Sequence, residues 1–109
     1  MAIDSLVSSG CVISGSTVSG SVLFTGVSVL DHSVIADSVI LPDAIIGPGC
    51  RIRRAVIDKQ VYLPPGTVIG ENPEHDRARF HVTERGIVLV SPTMLGQEYD
   101  FVPPRLQSR

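Results

Sequence analysis

The sequence predicts an all-β chain wound as a parallel β-helix. Two observations lead there: aliphatic residues return every five or six positions, and a second track of small or apolar residues runs in step with them. Over residues 7–69 the aliphatic anchors are Val7, Ile13, Val18, Leu23, Val29, Ile35, Leu41, Ile46, Ile52, Ile57, Leu63 and Ile69. Four residues beyond each of the first eleven stand Cys11, Thr17, Val22, Val27, Ser33, Val39, Ile45, Cys50, Val56, Val61 and Thr67. Short strands that point two side chains inward, with one outward residue between them, generate this register.

Two other architectures fit less well. An amphipathic helix needs apolar residues at three- and four-residue steps, and a chain this rich in β-branched residues, Ser and Gly is a poor helix former. An antiparallel sandwich spaces its turns by roughly 8 to 12 residues, whereas Gly, Ser, Asp and Pro interrupt this chain every five or six. With three strands per coil, the anchors sort into three inner columns. Val7, Leu23, Leu41 and Ile57 form the first; Ile13, Val29, Ile46 and Leu63 the second; Val18, Ile35, Ile52 and Ile69 the third. Neighbours in a column are expected about 4.8 Å apart, one rung of a parallel sheet. The register also points Val12, Ser28, Val34, Ile40, Arg51, Tyr62 and Val68 outward. Most of these are apolar or aromatic, which suggests flanks that press on another domain or subunit.

At 109 residues with 43% hydrophobic content the chain reads as one folding unit with a continuous core. The expected divisions are the β-helix over 1–70, a capping helix and short strands over 71–95, and a tail over 96–109. In the second of these, Asn72 reads as the cap of a helix from Pro73 to about Phe80, with Glu74 and Asp76 at its positive end. Phe80 to Thr83 and Ile87 to Val90, around a turn at Glu84-Arg85-Gly86, read as a small hairpin or an added pair of strands, and Ser91 to Leu95 starts a last helical turn. Met1 leads directly into the first coil, which suggests a cut from a longer protein. With no apolar run of about 20 residues and no basic, apolar leader, the expected location is the cytoplasm. Cys11 and Cys50 fall on different inward columns about two coils apart, too far for a disulfide, so both are expected as buried free thiols. Two cysteines also supply too few ligands for a metal.

Charge is unevenly distributed. Residues 1–50 contain no Lys or Arg, so all nine positive charges lie from Arg51 onward. No basic stripe runs along the sheets, which argues against nucleic acid as a partner. The dense basic stretch is Arg51 to Lys59. Arg53 and Arg54 are placed in one corner and Lys59 in the next, and corners one coil apart converge well enough to gather a phosphate. Its alternative is a solubilising edge paired with Asp58 and Glu71. The small-residue corner Ser8-Ser9-Gly10 exposes hydroxyls and backbone N–H groups that suit an anion, with a plain turn as the alternative. His32 falls in a corner between Val29 and Ser33. Trimeric acyltransferases built on hexapeptide repeats use a corner histidine as general base, so a stand-alone acyltransferase is the competing reading.

Several ordered segments are more specific than the repeat. Ser5-Leu6-Val7-Ser8-Ser9-Gly10-Cys11-Val12-Ile13-Ser14-Gly15-Ser16, Ser38-Val39-Ile40-Leu41-Pro42 and Cys50-Arg51-Ile52-Arg53-Arg54-Ala55-Val56-Ile57-Asp58-Lys59 are three of them. Val68-Ile69-Gly70-Glu71-Asn72, Asp76-Arg77-Ala78-Arg79-Phe80 and Gly86-Ile87-Val88-Leu89-Val90 follow in order. Over roughly residues 5–95 the chain resembles the carboxy-terminal domain of bacterial glucose-1-phosphate adenylyltransferases. That resemblance implies left-handed winding of the hexapeptide repeats. It implies a parent enzyme that forms ADP-glucose and pyrophosphate from ATP and glucose 1-phosphate for glycogen synthesis. The parent is expected to be a homotetramer regulated by phosphorylated or carboxylate metabolites. Catalysis and Mg²⁺ belong to an amino-terminal nucleotidyltransferase domain, which this sequence lacks; the fragment itself is expected to be inactive and to carry no cofactor. By the same resemblance Lys59 matches the basic residue of an Ile-Asp-Lys/Arg motif implicated in activator response. Ser8, Ser9 and Gly10 match a Ser-Gly-Gly effector corner, with Ser9 in place of the first Gly.

Overall fold

The computed structural model describes residues 1–97. The expected tail, apart from Gly96 and Gln97, lies outside the described residues. Strands β1 (Ala2–Ile3), β2 (Leu6–Val7), β3 (Val12–Ile13) and β4 (Thr17–Ser19) begin the winding. It continues through β5 (Val22–Leu23), β6 (Ser28–Val29), β7 (Val34–Ala36), β8 (Val39–Ile40), β9 (Ile45–Ile46) and β10 (Arg51–Arg53). Strands β11 (Ala55–Ile57), β12 (Tyr62–Leu63) and β13 (Val68–Ile69) complete the coils. Beyond them come α1 (Pro73–Arg79), β14 (His81–Val82), β15 (Val88–Val90) and a 3-10 turn, Pro92–Leu95.

The coils stack as a left-handed parallel β-helix with three flat sheets. The first sheet runs β1-β4-β7-β10-β13, the second β2-β5-β8-β11-β15-β14 and the third β3-β6-β9-β12. Two of the inner columns match the sequence reading. Val18, Ile35, Ile52 and Ile69 stack in register in the first sheet, and Ile13, Val29, Ile46 and Leu63 in the third.

The column of the second sheet differs by one residue. Leu23 faces Ile40, and Ile40 faces Ile57, so Ile40 and not Leu41 enters the core. Ile40 is fully buried while Leu41 is half-buried on the outside. The cause lies at the edge between the first and second sheets, where the corner is a single left-handed residue: Asp4, Gly20, Asp37 or Arg54. A one-residue corner makes the step from Val18 to Leu23, Ile35 to Ile40 and Ile52 to Ile57 five residues long. After such a step the small inward residue lies three beyond the anchor. Ser21, Ser38 and Ala55 are therefore inward, where the two-track reading had Val22, Val39 and Val56; at the other edges Ser16 stands inward in place of Thr17, and Ala44, four beyond Ile40, in place of Ile45.

Those inward serines form two hydrogen-bonded ladders. Ser21 and Ser38 donate to the carbonyls of Ser19 and Ala36, both at 2.8 Å. In turn the hydroxyls of Ser5, Ser21 and Ser38 accept the backbone N–H of the residue one coil above: Ser21 at 3.1 Å, Ser38 at 3.0 Å and Ala55 at 3.1 Å. The second ladder climbs the edge between the third and first sheets. There the Ser33 N–H donates to Ser16 Oγ at 3.0 Å and the Cys50 N–H to Ser33 Oγ at 3.1 Å, while Ser33 donates to the Gly47 carbonyl at 2.8 Å. A buried hydroxyl paired on both sides avoids the desolvation penalty of an unsatisfied group.

The far end of the stack is closed as the sequence indicated. Asn72 accepts the His75 N–H at 3.2 Å, Pro73 opens α1, and the buried Asp76 carboxylate accepts the Gly70 N–H at 3.0 Å. Phe80 is buried against the core. The hairpin adds more than a cover. β14 and β15 are antiparallel, but β15 lies parallel on β11, so Val90 takes the rung above Ile57.

Replacing Ser38 by Ala removes the acceptor for the buried Ala55 N–H, and the expected cost is about 1–3 kcal/mol. Thr17→Ala, at an exposed position, is expected to stay within about 0.5 kcal/mol. Urea unfolding of the two variants against the parent chain checks the contrast.

Candidate functional site

Each edge of the prism stacks left-handed corner residues. Asp4, Gly20, Asp37 and Arg54 line the first, between the first and second sheets; Gly10, Gly26, Asp43 and Gln60 the second, between the second and third; Gly15, His32, Gly49 and Gly66 the last. On the second edge the Gly26 N–H donates to the Ser9 carbonyl at 3.3 Å, Asp43 to Thr25 at 3.0 Å and Gln60 to Pro42 at 3.0 Å. Ser9, Thr25, Pro42 and Lys59 are thus equivalent positions in successive coils. Ser8-Ser9-Gly10 and Lys59 share this edge, three rungs or roughly 14 Å apart. Gly10 carries the left-handed conformation at φ 76°, and Ser9 has no positive φ, so serine at that position fits the corner without strain. The Lys59 N–H donates to the Asp58 carboxylate at 2.7 Å, which tightens the corner.

The basic stretch is divided between places. In β10 Ile52 points inward, leaving Arg51 and Arg53 on the outer face of the first sheet. Arg54 occupies the first edge at φ 47°, with its guanidinium over the hairpin turn; a Cβ on Gly86 would fall 2.8 Å from its Nη2. Lys59 follows the far end of β11. Arg54 and Lys59 therefore occupy successive corners of one coil, and the length of β11, about 10 Å, separates them. Arg51 donates from Nε to Glu71 Oε2 at 2.8 Å and from Nη2 to Oε1 at 2.5 Å, a fork-to-fork pair. Both side chains are substantially exposed, so the pair contributes about 0–1 kcal/mol. Arg53 forms no ion pair among the described residues.

His32 is explained by backbone geometry. It holds the left-handed corner at φ 64°, a conformation in which His is enriched, and its N–H donates to the Gly15 carbonyl at 3.1 Å. Its exposed imidazole makes no hydrogen bond among the described residues, so no group there orients it as a base. Among the described residues no cluster of three or more His, Cys, Asp or Glu is arranged to hold a metal. Cys50 lies on the ladder that also holds Ser33, donating to the Pro64 carbonyl at 3.2 Å, and burial pushes its thiol above the usual range. Cys11 is half-buried on another column and donates to the Phe24 carbonyl at 3.0 Å.

The one-residue slip concealed a surface. Across the parallel strands of the second sheet the outward positions are Leu6, Val22, Val39, Val56 and Leu89, all aliphatic, with the exposed His81 of β14 beside Leu89. Two grooves flank Val56: one of about 210 Å³ beside Leu41, Leu89 and Met94, and one of about 350 Å³ beside Val39, Arg54 and Ile87. The other sheets show mixed outer columns, Thr17-Val34-Arg51-Val68 and Val12-Ser28-Ile45-Tyr62. The five-residue steps were the signal available in the sequence.

Residues 1–90 match the family described as GlmU-like, C-terminal hexapeptide. The chain belongs to that family. Within this hexapeptide family it is 60% identical over 98 residues to glucose-1-phosphate adenylyltransferase 2 of Alkalilimnicola ehrlichii, covering 90% of this chain and 23% of the relative. The glucose-1-phosphate adenylyltransferase of Methylococcus capsulatus is 59% identical over 101 residues, covering 93% and 24%. That of Nitrosococcus oceani is 54% identical over 102 residues, covering 94% and 24%. The chain spans about a quarter of the length of these relatives.

A raised thiol pKa means less thiolate at any given pH, so Cys50 is expected to resist alkylation while Cys11 reacts. Mass mapping after brief iodoacetamide treatment at pH 8, native and in urea, checks this; Cys50 should label only in urea.

Proposed function

We propose that this chain is the regulatory and assembly module of a glucose-1-phosphate adenylyltransferase, the enzyme that makes ADP-glucose from ATP and glucose 1-phosphate for glycogen synthesis. The observation that carries the reading is a match of 60% identity over 90% of this chain to only 23% of such an enzyme. The other three quarters of the enzyme are assigned the nucleotidyl transfer and its Mg²⁺. In this reading the working enzyme is a cytoplasmic homotetramer.

The apolar outer face of the second sheet supports a docking role. A continuous aliphatic column in water is costly to leave uncovered, and a nucleotidyltransferase domain of the same enzyme is its partner. Both edges that frame this face carry candidate effector residues: Arg54 on one, and Ser8, Ser9, Gly10 and Lys59 on the other, while Arg53 lies off the edge on the outer face of the first sheet. A phosphorylated or carboxylate effector at either edge touches the border of the docked domain. Differential contact with two docked arrangements is then sufficient to change the activity of the distant site.

On its own the chain is expected to release no pyrophosphate from ATP and glucose 1-phosphate, and release by the purified chain would overturn the assignment. Substituted for the matching segment of the Methylococcus capsulatus enzyme, it should support activation by a phosphorylated sugar. Lys59→Gln in that chimera is expected to raise the activator concentration needed by about tenfold, the worth of one charge-assisted contact. An unchanged activation curve would remove Lys59 from the effector site.

A further inference from the structure

We propose that the outer face of the first sheet carries a separate oxyanion site, taking inorganic phosphate or a phosphate monoester between Arg51 and Arg53, with Glu71 as a built-in competitor. The site goes beyond the effector edges described above. It requires no docked partner.

The alternation of β10 places the two arginines on one face, with Ile52 anchored in the core between them. Their Cα atoms are two residues apart, about 7 Å along the strand, close enough for two long guanidinium side chains to converge on one tetrahedral group. Together with Val34, Ala36, Ile52 and Glu71 they line a concavity of about 550 Å³. The residues next to Arg53 in its column are small, Ala36 on one side and Gly70 close above, with Ser19 and Ile3 further along. No side chain is possible on Gly70, because its Cβ would meet the Arg53 carbonyl oxygen at 2.0 Å.

Glu71 shows that an oxyanion fits. Its carboxylate takes both fork donors of Arg51, at 2.8 and 2.5 Å, and so stands in the place of an external anion. A carboxylate has two oxygens and satisfies one guanidinium, leaving Arg53 unmatched among the described residues. A phosphate dianion offers three or more oxygens and a second charge, enough for both. Because the Arg51–Glu71 pair is exposed, exchange of one anion for the other needs no opening of the core.

The test is an NMR titration of the 109-residue chain with inorganic phosphate, against sodium chloride at matched ionic strength. Saturable amide shifts confined to Arg51, Ile52, Arg53 and Glu71 are expected. Arg53→Gln should weaken binding about tenfold, and Arg53→Lys, which keeps the charge but not the fork, by less. Glu71→Gln should tighten binding several-fold by removing the competitor, and Lys59→Gln should change nothing. Circular dichroism melts confirm that each variant is folded. Shifts reproduced by chloride, equal affinity in Arg53→Gln, unchanged or weaker binding in Glu71→Gln, or loss of binding in Lys59→Gln would each overturn the proposal. Lys59→Gln separates this site from the effector edge, so each reading fails on its own variant.

Discussion

The structure depends on pairing every polar group that the corners carry into the core. A coil that turns after two or three strand residues must bring backbone N–H and C=O groups inside at each edge, and a parallel ladder of short strands does not reach all of them. The serine columns solve this at two edges. Ser5, Ser21 and Ser38 each receive an N–H from the coil above, as do Ser16 and Ser33 on the other ladder. Among the described residues no buried side-chain polar atom is left without a partner. The aliphatic columns supply the driving force for burial, but the hydroxyl ladders decide how closely the coils stack and where each corner falls.

The corner lengths in turn decide what each outer face presents. A single left-handed residue at the first edge shortens the step to five and rotates the next strand by one residue, and in a strand a shift of one exchanges inside for outside. Ile40 enters the core and Val39 turns out for this reason. The same rule repeated through successive coils aligns Leu6, Val22, Val39 and Val56 on one apolar face, to which the hairpin adds Leu89. It also sets Arg51 and Arg53 on another, with Arg54 between the two. The architecture thus serves as three walls, each with its own chemistry, around one core.

Much of this was legible in the residues. The recurrence of Val, Leu and Ile marked the coils, and Asn72-Pro73 marked the start of the capping helix, because both are local signals. The Glu84-Arg85-Gly86 turn was equally plain, and of the two readings offered for its strands, hairpin or added pair, the structure combines both, with β15 joining the second sheet beside β11. The slip at Leu41 has a specific origin: the two-track reading took Val39 and Val56 as inward and passed over the small residues Ser38 and Ala55 beside them. Only the knowledge that a small hydroxyl is paired from above makes serine the better inward residue. For the candidate site, the sequence placed Arg54 and Lys59 in successive corners, but it put Arg53 in the corner too and expected the cations to converge. Arg54 and Lys59 are five positions apart in the chain, yet β11 holds them at opposite ends of a strand.

By itself the sequence determined the fold class, the columns of two sheets, the closed end and the family, since periodicity, capping residues and ordered motifs are properties of neighbours along the chain. The tertiary structure decided the register of the second sheet, the serine ladders, the apolar wall and the pairing of Arg51 with Glu71. Each of these joins residues more than a dozen positions apart, and their meeting depends on the summed lengths of the corners between them.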